Sequence, residues 1–429
     1  MTDQDLLSDF LEIHPRIRGR FPQVEDDGCG NRRIHLNCAA GTLMVDTAAA
    51  ALAGSALNSN PQPGERYPAE IATRNLHEKV REFVADFLQA PSSQEVSFHF
   101  STTNALFNLA FSLRNLFKKH NNLIVTDLDH MANISPWETV YGEGRGCEIR
   151  RARIDPKGFL DLEHLVSLVD GKTGLVAVTM ASNSFGSVVP IRELTARVKE
   201  KSPFCLVCVD AVHHALHGPI DVQDIGCDFL AFSGYKLFGP MMGVLWGKLD
   251  LLEKLSPYRV ETNKNKPPYK FEQGTLNNAA LASLQAALEY LLWLAAETAG
   301  PDQKPQDRRG AFTLALKAVA NYESELTRIV LEGFQNLDPA KIRLYGPSDL
   351  QSQFFRDPTF LFESEVRSAS ELKSHFWSDA GIQVAEGTHY SAAVYRHLKK
   401  PNLCRASLAH YNTMREAKIF LESLERIAK

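Results

Sequence analysis

FCLVCVDAVHHALHGPIDVQDIGCDFLAFSGYKLFGPMMG, residues 204–243, contains two short runs, FCLVCVD and FLAFS, that are apolar at consecutive positions rather than alternate ones. Such runs are buried on both faces, as in parallel sheets covered by helices. Asp210 closes the first run, and Lys236 follows the second in a turn rich in Ser, Gly and Pro. Both side chains are therefore expected at the C-terminal edge of the sheet, where open α/β sheets bind ligands. The bland alternative makes Asp210 a helix cap and Lys236 a surface lysine.

Further runs flank this stretch: VSFHF, NLIVTD, EIRRARI and GLVAVTM before it, GVLWG at its end. Amphipathic segments between them predict an α/β three-layer domain with a mostly parallel central sheet. GVLWG follows too soon for a helical crossover and is expected to run antiparallel. A long buried helix is predicted from about Asn278 to Ala296, followed by the linker-like AGPDQKPQDRRG. Beyond it, a helix near 311–337, strands at IRLYG, TFLFES and CRASLA, and a closing helix from about Thr413 predict a smaller α+β C-terminal domain. The expected division is an N-terminal segment (1–30) packing on the small domain, a large domain (31–297) and the small domain (298–429).

With 429 residues, the chain has room for two domains and a deep site. A net charge of −4 gives no electrostatic reason to expect nucleic acid or an anionic membrane as partner. The N-terminus lacks the basic and apolar pattern of an export signal, and Glu289 interrupts the most apolar later stretch. Seven scattered cysteines suit a reducing compartment, so a cytoplasmic location is expected. Cys205 and Cys208 form a CxxC, but strand geometry points them to opposite faces. No metal site is expected, and the lysines of NKNKPPYK read as a solvated loop.

Other positions suit the same ligand edge. Ser101, Thr102 and Thr103 open a helical segment after VSFHF and could hold a phosphate at its N-terminus, with Ser233 adding a hydroxyl. His130 follows NLIVTD and Asn183 follows GLVAVTM, while His213 lies three residues past Asp210. A carboxylate that keeps a pyridine nitrogen protonated, a lysine able to form an imine, a stacking imidazole and a phosphate cradle together suit pyridoxal 5'-phosphate (PLP).

In order and spacing, the blocks HLNCAAG, STTNALFNLA, DHMANISPW, ASNSFG, VDAVHHALHGPIDV, SGYKLFGP, FEQGTLN and CRASLAHYNT resemble the class V aminotransferase family. That family comprises fold-type I PLP enzymes, and the likeness is strongest to its cysteine desulfurase and selenocysteine lyase branch. The resemblance implies Lys236 as the Schiff-base lysine, Asp210 as pyridinium partner and His130 as the stacking residue. It implies Asn183 and His213 beside the ring hydroxyl, and Thr102, Thr103 and Ser233 on the phosphate. Thr275 matches a threonine that reaches the phosphate of the neighbouring subunit, so a homodimer with shared active sites is implied. Arg405 matches the arginine that pairs with the substrate carboxylate. Where desulfurases of this branch carry a persulfide-forming cysteine, the segment EGTHYSAAVYRHL has Tyr390, and Ala385 replaces an arginine often found nearby. Tyr390 and His389 are candidate substrate contacts.

The implied reaction is cleavage of a C–S or other β-bond of an amino acid, without an enzyme persulfide. Alternatives are transamination or a decarboxylating, carbon–carbon bond-forming reaction. A non-catalytic PLP-binding protein is a remote further reading, which the retention of Lys236, Asp210 and Arg405 together argues against.

Overall fold

The computed structural model describes residues 3–115, 121–142, 144, 146–299 and 305–429. Seven strands form the central sheet: β1 (Val96–His99), β2 (Asn122–Thr126), β3 (Glu148–Ala152), β4 (Thr173–Thr179), β5 (Leu206–Asp210), β6 (Phe229–Ser233) and β7 (Gly243–Gly247). Their order is β1-β7-β6-β5-β4-β2-β3. Strands β2 to β6 pair in parallel, whereas β7 runs antiparallel to both β6 and β1, as its short connection requires.

Side-chain alternation assigns each strand to two cores at once. Val176, Val178, Val207, Val209, Leu230 and Phe232 enter one, and Leu175, Ala177, Cys208, Phe229 and Ala231 the other. Fully burying a Val, Leu or Phe side chain contributes about 1.5–3 kcal/mol, so the consecutive apolar positions are the reason these strands sit mid-sheet. The CxxC obeys the same parity: Cys205 and Cys208 are buried in opposite cores.

The helix Asn278–Thr298 is long and apolar enough to cross a membrane by composition, yet most of it is buried inside the fold, against the helices Asp46–Asn58 and Arg308–Gln335. A second, antiparallel sheet comprises β8 (Ile342–Tyr345), β9 (Thr359–Ser364), β10 (Ala385–Gly387) and β11 (Leu403–Ser407), in the order β10-β11-β9-β8. The N-terminal helix Asp3–Gly19 packs Phe10 on Tyr322 at 4.7 Å between ring centroids, and its Arg18 donates to Tyr411 O at 2.6 Å.

One expectation fails in NKNKPPYK. Lys264 and Lys266 are exposed, but Lys270 is buried, its ammonium donating to Glu253 O (3.0 Å) and Leu255 O (2.8 Å). The carbonyls at the end of the helix Leu249–Lys254 supply the acceptors that let the charge leave water. Nearby, Arg81 grips Glu272 through two bonds of 2.6 and 2.7 Å, both groups being buried, while Glu272 also accepts from the Phe98 amide of β1 (2.9 Å). Arg81→Ala strands that carboxylate and is expected to cost about 3–5 kcal/mol. Urea denaturation midpoints check this, and an unchanged midpoint would refute it.

Candidate active site

The register of the central sheet aligns Thr179 with Asp210 and Asp210 with Ala231, so the C-terminal ends of β4, β5 and β6 share one edge. A cavity opens there, lined among others by Thr102, Thr103, His130, Asn183, Asp210, His213, Ser233, Tyr235 and Lys236. Nine residues singled out in the sequence, Ser101 included and Tyr235 aside, thus converge on one cleft.

Lys236 occupies the short helical turn Gly234–Lys236 directly after β6 and is buried. Burial, then the charge of Arg405, bring its amine down to about 8 against the opposing pull of Asp210. Asp210 accepts the Val212 amide at 2.9 Å, and burial holds its carboxyl above the ordinary range. His130 accepts the Ala132 amide on Nδ1 (3.0 Å), and burial, Lys236 and Arg405 lower it to about 4, leaving a neutral imidazole.

The phosphate-type residues surround the N-terminus of the helix Thr102–Leu113, which Ser101 caps by accepting the Asn104 amide (3.1 Å). A Cβ on Gly243 would lie 2.4 Å from Thr102 N, so glycine is what lets this helix start abut β7. Thr102 Oγ1 donates to Phe232 O (2.8 Å) and lies 2.7 Å from Ser233 Oγ. What Thr102 offers an anion is therefore chiefly its first-turn amide hydrogen, whereas the exposed Thr103 brings its hydroxyl to the cavity as well.

Four expected residues lie outside the cavity lining. Arg405 approaches from β11, where it stands opposite Ala385 and donates from Nη1 to Asn183 O (2.8 Å). His389 and Tyr390 belong to a loop held over the cleft: Asn183 Nδ2 donates to His389 O (2.8 Å), and Met131 N to Tyr390 O (2.7 Å). Both adopt left-handed backbone angles, φ 51° and 55°, unusual for non-glycine residues. The Tyr390 ring lies 5.5 Å from that of His130, and 76% of the residue is exposed. Thr275 is exposed elsewhere, accepting a bond from Gln62 Nε2 (3.3 Å) in a groove with Phe100 and Met241.

Sequence reading overlooked Asp129 and Ser391. Asp129 is wholly buried, accepts Asn133 Nδ2 (2.7 Å) and Thr126 Oγ1, and is pushed to about 8 by burial, with the Asp210 charge contributing. Its only sequence signal is adjacency to His130. Ser391 is buried and donates to Asn183 Oδ1 at 2.7 Å.

The family description "Aminotransferase class-V" matches residues 34–304 and 312–420. A cysteine desulfurase of Serratia proteamaculans is 31% identical over 96% of this chain and 98% of its own. One of Pectobacterium carotovorum is likewise 31% identical, over 96% and 97%. Among solved structures, the apo cysteine desulfurase of Thermococcus onnurineus superposes with a TM-score of 0.83 at 23% identity, over 96% of this chain and 98% of its own. A cysteine desulfurase of Escherichia coli gives 0.80 at 24%, with the same coverage.

Members of this family use PLP, and the residues present fit it. His213 Nδ1 and Arg405 Nε are buried without a hydrogen-bond partner, as suits groups that await a ligand's own acceptors and donors. A buried amine faces the same cleft as a buried carboxylate. With fold, cleft and relatives in agreement, the chain belongs to the class V aminotransferase family, in its cysteine desulfurase-like branch, and is a PLP-dependent enzyme.

Proposed function

We propose that this enzyme breaks a bond at the β-carbon of an amino acid, by desulfurase-like chemistry that forms no persulfide on the protein. The observation that carries the reading is the state of the thiols within electrostatic reach of Arg405. Cys38 is buried against the Tyr411 hydroxyl (3.0 Å) and pushed up to about 12, and burial raises Cys404 further still. Thiols held protonated are poor nucleophiles. The loop where the branch carries its reactive cysteine presents the Tyr390 phenol instead.

When bound, PLP would supply a protonated ring able to take up the electrons left by the substrate's α-proton, the charge that a departing β-substituent needs. Arg405, anchored through Nη1 on Asn183 O, has its buried Nε without a partner and is the group that would hold a substrate carboxylate. Lys236, with an amine near 8, is partly unprotonated at neutral pH and is the group that takes and returns a proton at the substrate α-carbon. Asp129, also near 8, holds the proton of the neighbouring carboxylate pair, so Asp210 is the anion that faces a ring nitrogen. Neutral His130 offers a flat face beneath Tyr390. Thr275, exposed beside the apolar Phe100 and Met241, suits a homodimer in which it completes the partner's phosphate site.

Protein loaded with PLP and given cysteine, cysteine sulfinate, aspartate or alanine tests this. One β-substituted amino acid is expected to shift the visible band: cysteine would yield pyruvate, ammonia and sulfide, whereas cysteine sulfinate or aspartate would yield alanine with sulfite or carbon dioxide. Alkylation and intact mass are expected to find no persulfide. A persulfide on Cys38 or Cys404, or amino-group transfer to a keto acid in place of β-cleavage, would overturn the reading.

A further inference from the structure

Behind the cleft lies a second buried polar cluster that these steps do not use. It joins three elements: the segment after β5 (His213, His214, His217), the helix Arg308–Gln335 (Glu323) and the start of β9 with the residues before it (Asp357, Thr359). His217 Nδ1 sits 2.7 Å from Glu323 Oε2, with only 2% and 3% of the two side chains exposed. The His217 ring meets that of His213 edge-on, centroids 5.2 Å apart at 65°. His213 lines the cleft, has Nε2 3.2 Å from Thr359 Oγ1 and leaves Nδ1 without a partner.

We propose that Glu323 is a positioning residue for the cofactor site: it holds a proton on His217, and that imidazolium keeps His213 a neutral imidazole facing the cleft. The inference rests on the reading of His213 as neighbour of the ring hydroxyl. A buried carboxylate without a cation is costly, so the proton stays on the pair's imidazole. A positive ring against His213 then opposes a second proton there. His217 is raised despite its burial, by Glu323 and Asp357, while burial also raises the Glu323 carboxyl against the pull of His217, and His213 is held far down by burial and by His217 and Lys236.

The charged and titratable groups around His217 are Glu323 and Asp357, His213 and His410, and Lys236 in the cleft, with His214 beside His213. Asp357 is itself engaged by His214 Nδ1 at 3.1 Å. The charge of Lys236 acts on His217 and lowers it, and by reciprocity a proton on His217 opposes one on Lys236. Loss of its proton therefore lets Lys236 keep its own proton to higher pH. His217 and Glu323 lie at the buried side of a groove that Gly218, Pro219 and Pro358 also line.

The test uses pyridoxal, which lacks the phosphate, and follows the pH midpoint of imine formation. Glu323→Gln and His217→Gln are each expected to raise the midpoint by about half a pH unit relative to wild type, and Glu323→Asp to return it. Side-chain 15N spectra of the ligand-free protein are expected to show His217 doubly protonated at neutral pH in wild type and singly protonated in Glu323→Gln. An unmoved midpoint in folded Glu323→Gln overturns the proposal. So does failure of both glutamine variants to fold, because the pair is then only structural. If wild type forms no imine, the reading of Lys236 falls instead, and the 15N spectra still decide whether the charged pair exists.

Discussion

Replacing Lys236 with alanine is expected to abolish the dialysis-resistant visible band of the PLP-loaded protein and to lower turnover by at least about 10³-fold, a general acid/base and the covalent anchor being lost together. Lys236 is the one primary amine among the residues lining the cleft, so no neighbour can take over either task. Its pH signature is specific. An ordinary lysine amine titrates near 10.4, whereas burial and Arg405 bring this one down to about 8. The lowered value means that the reactive, unprotonated form accumulates as pH rises through 8. Imine formation with added PLP should therefore climb with pH and level off above that point. Spectrophotometric titration of wild type and variant side by side measures both effects. A band that survives in Lys236→Ala would remove the residue from the chemistry, and a rate still climbing steeply near pH 10 would deny its lowered amine.

Apart from the half-exposed edge strand β3 (EIRRA), the strands of the central sheet were legible because each is buried on both faces, and double burial leaves an apolar run with a polar residue where the chain re-emerges. That re-emergence is also why the site was legible: Asp210, Asn183, His130 and Lys236 each follow such a run, and the parallel order brings those ends to one edge. Strand β10 was not legible. Its three residues, Ala385–Gly387, have little β-preference and are only half buried, so pairing with β11 alone makes them a strand. Lys270 misled because local composition reports charge but not the carbonyls waiting 15 and 17 residues upstream. The Glu323–His217 pair spans 106 residues, and no local pattern signals a contact at that range. Asp129 is a milder case: the residue is visible beside His130, yet only the fold shows the burial and the nearby Asp210 charge that together push its carboxyl up to about 8.

Asp210→Asn separates the charge of that position from its shape. The asparagine side chain is nearly isosteric, and its oxygen can keep the 2.9 Å bond from the Val212 amide, so the turn after β5 should hold and the fold with it. Lys236 remains, so the variant is expected to bind PLP and show the band that Lys236→Ala loses. What disappears is the anion that stabilises a protonated ring nitrogen, and preorganised charges of this kind are worth about 10²–10³-fold in turnover. A PLP analogue methylated on the ring nitrogen, whose positive charge needs no carboxylate, is expected to restore a large share of the lost rate in Asp210→Asn while doing nothing for Lys236→Ala. Steady-state turnover with each cofactor form provides the measurement. Because Asp129 is raised in part by the charge of Asp210, the same substitution should also lower the Asp129 carboxyl, a shift that difference infrared spectra can follow. Full turnover in Asp210→Asn with ordinary PLP would show that the ring works unprotonated here, and the electron-sink role assigned to this edge of the sheet would have to be abandoned.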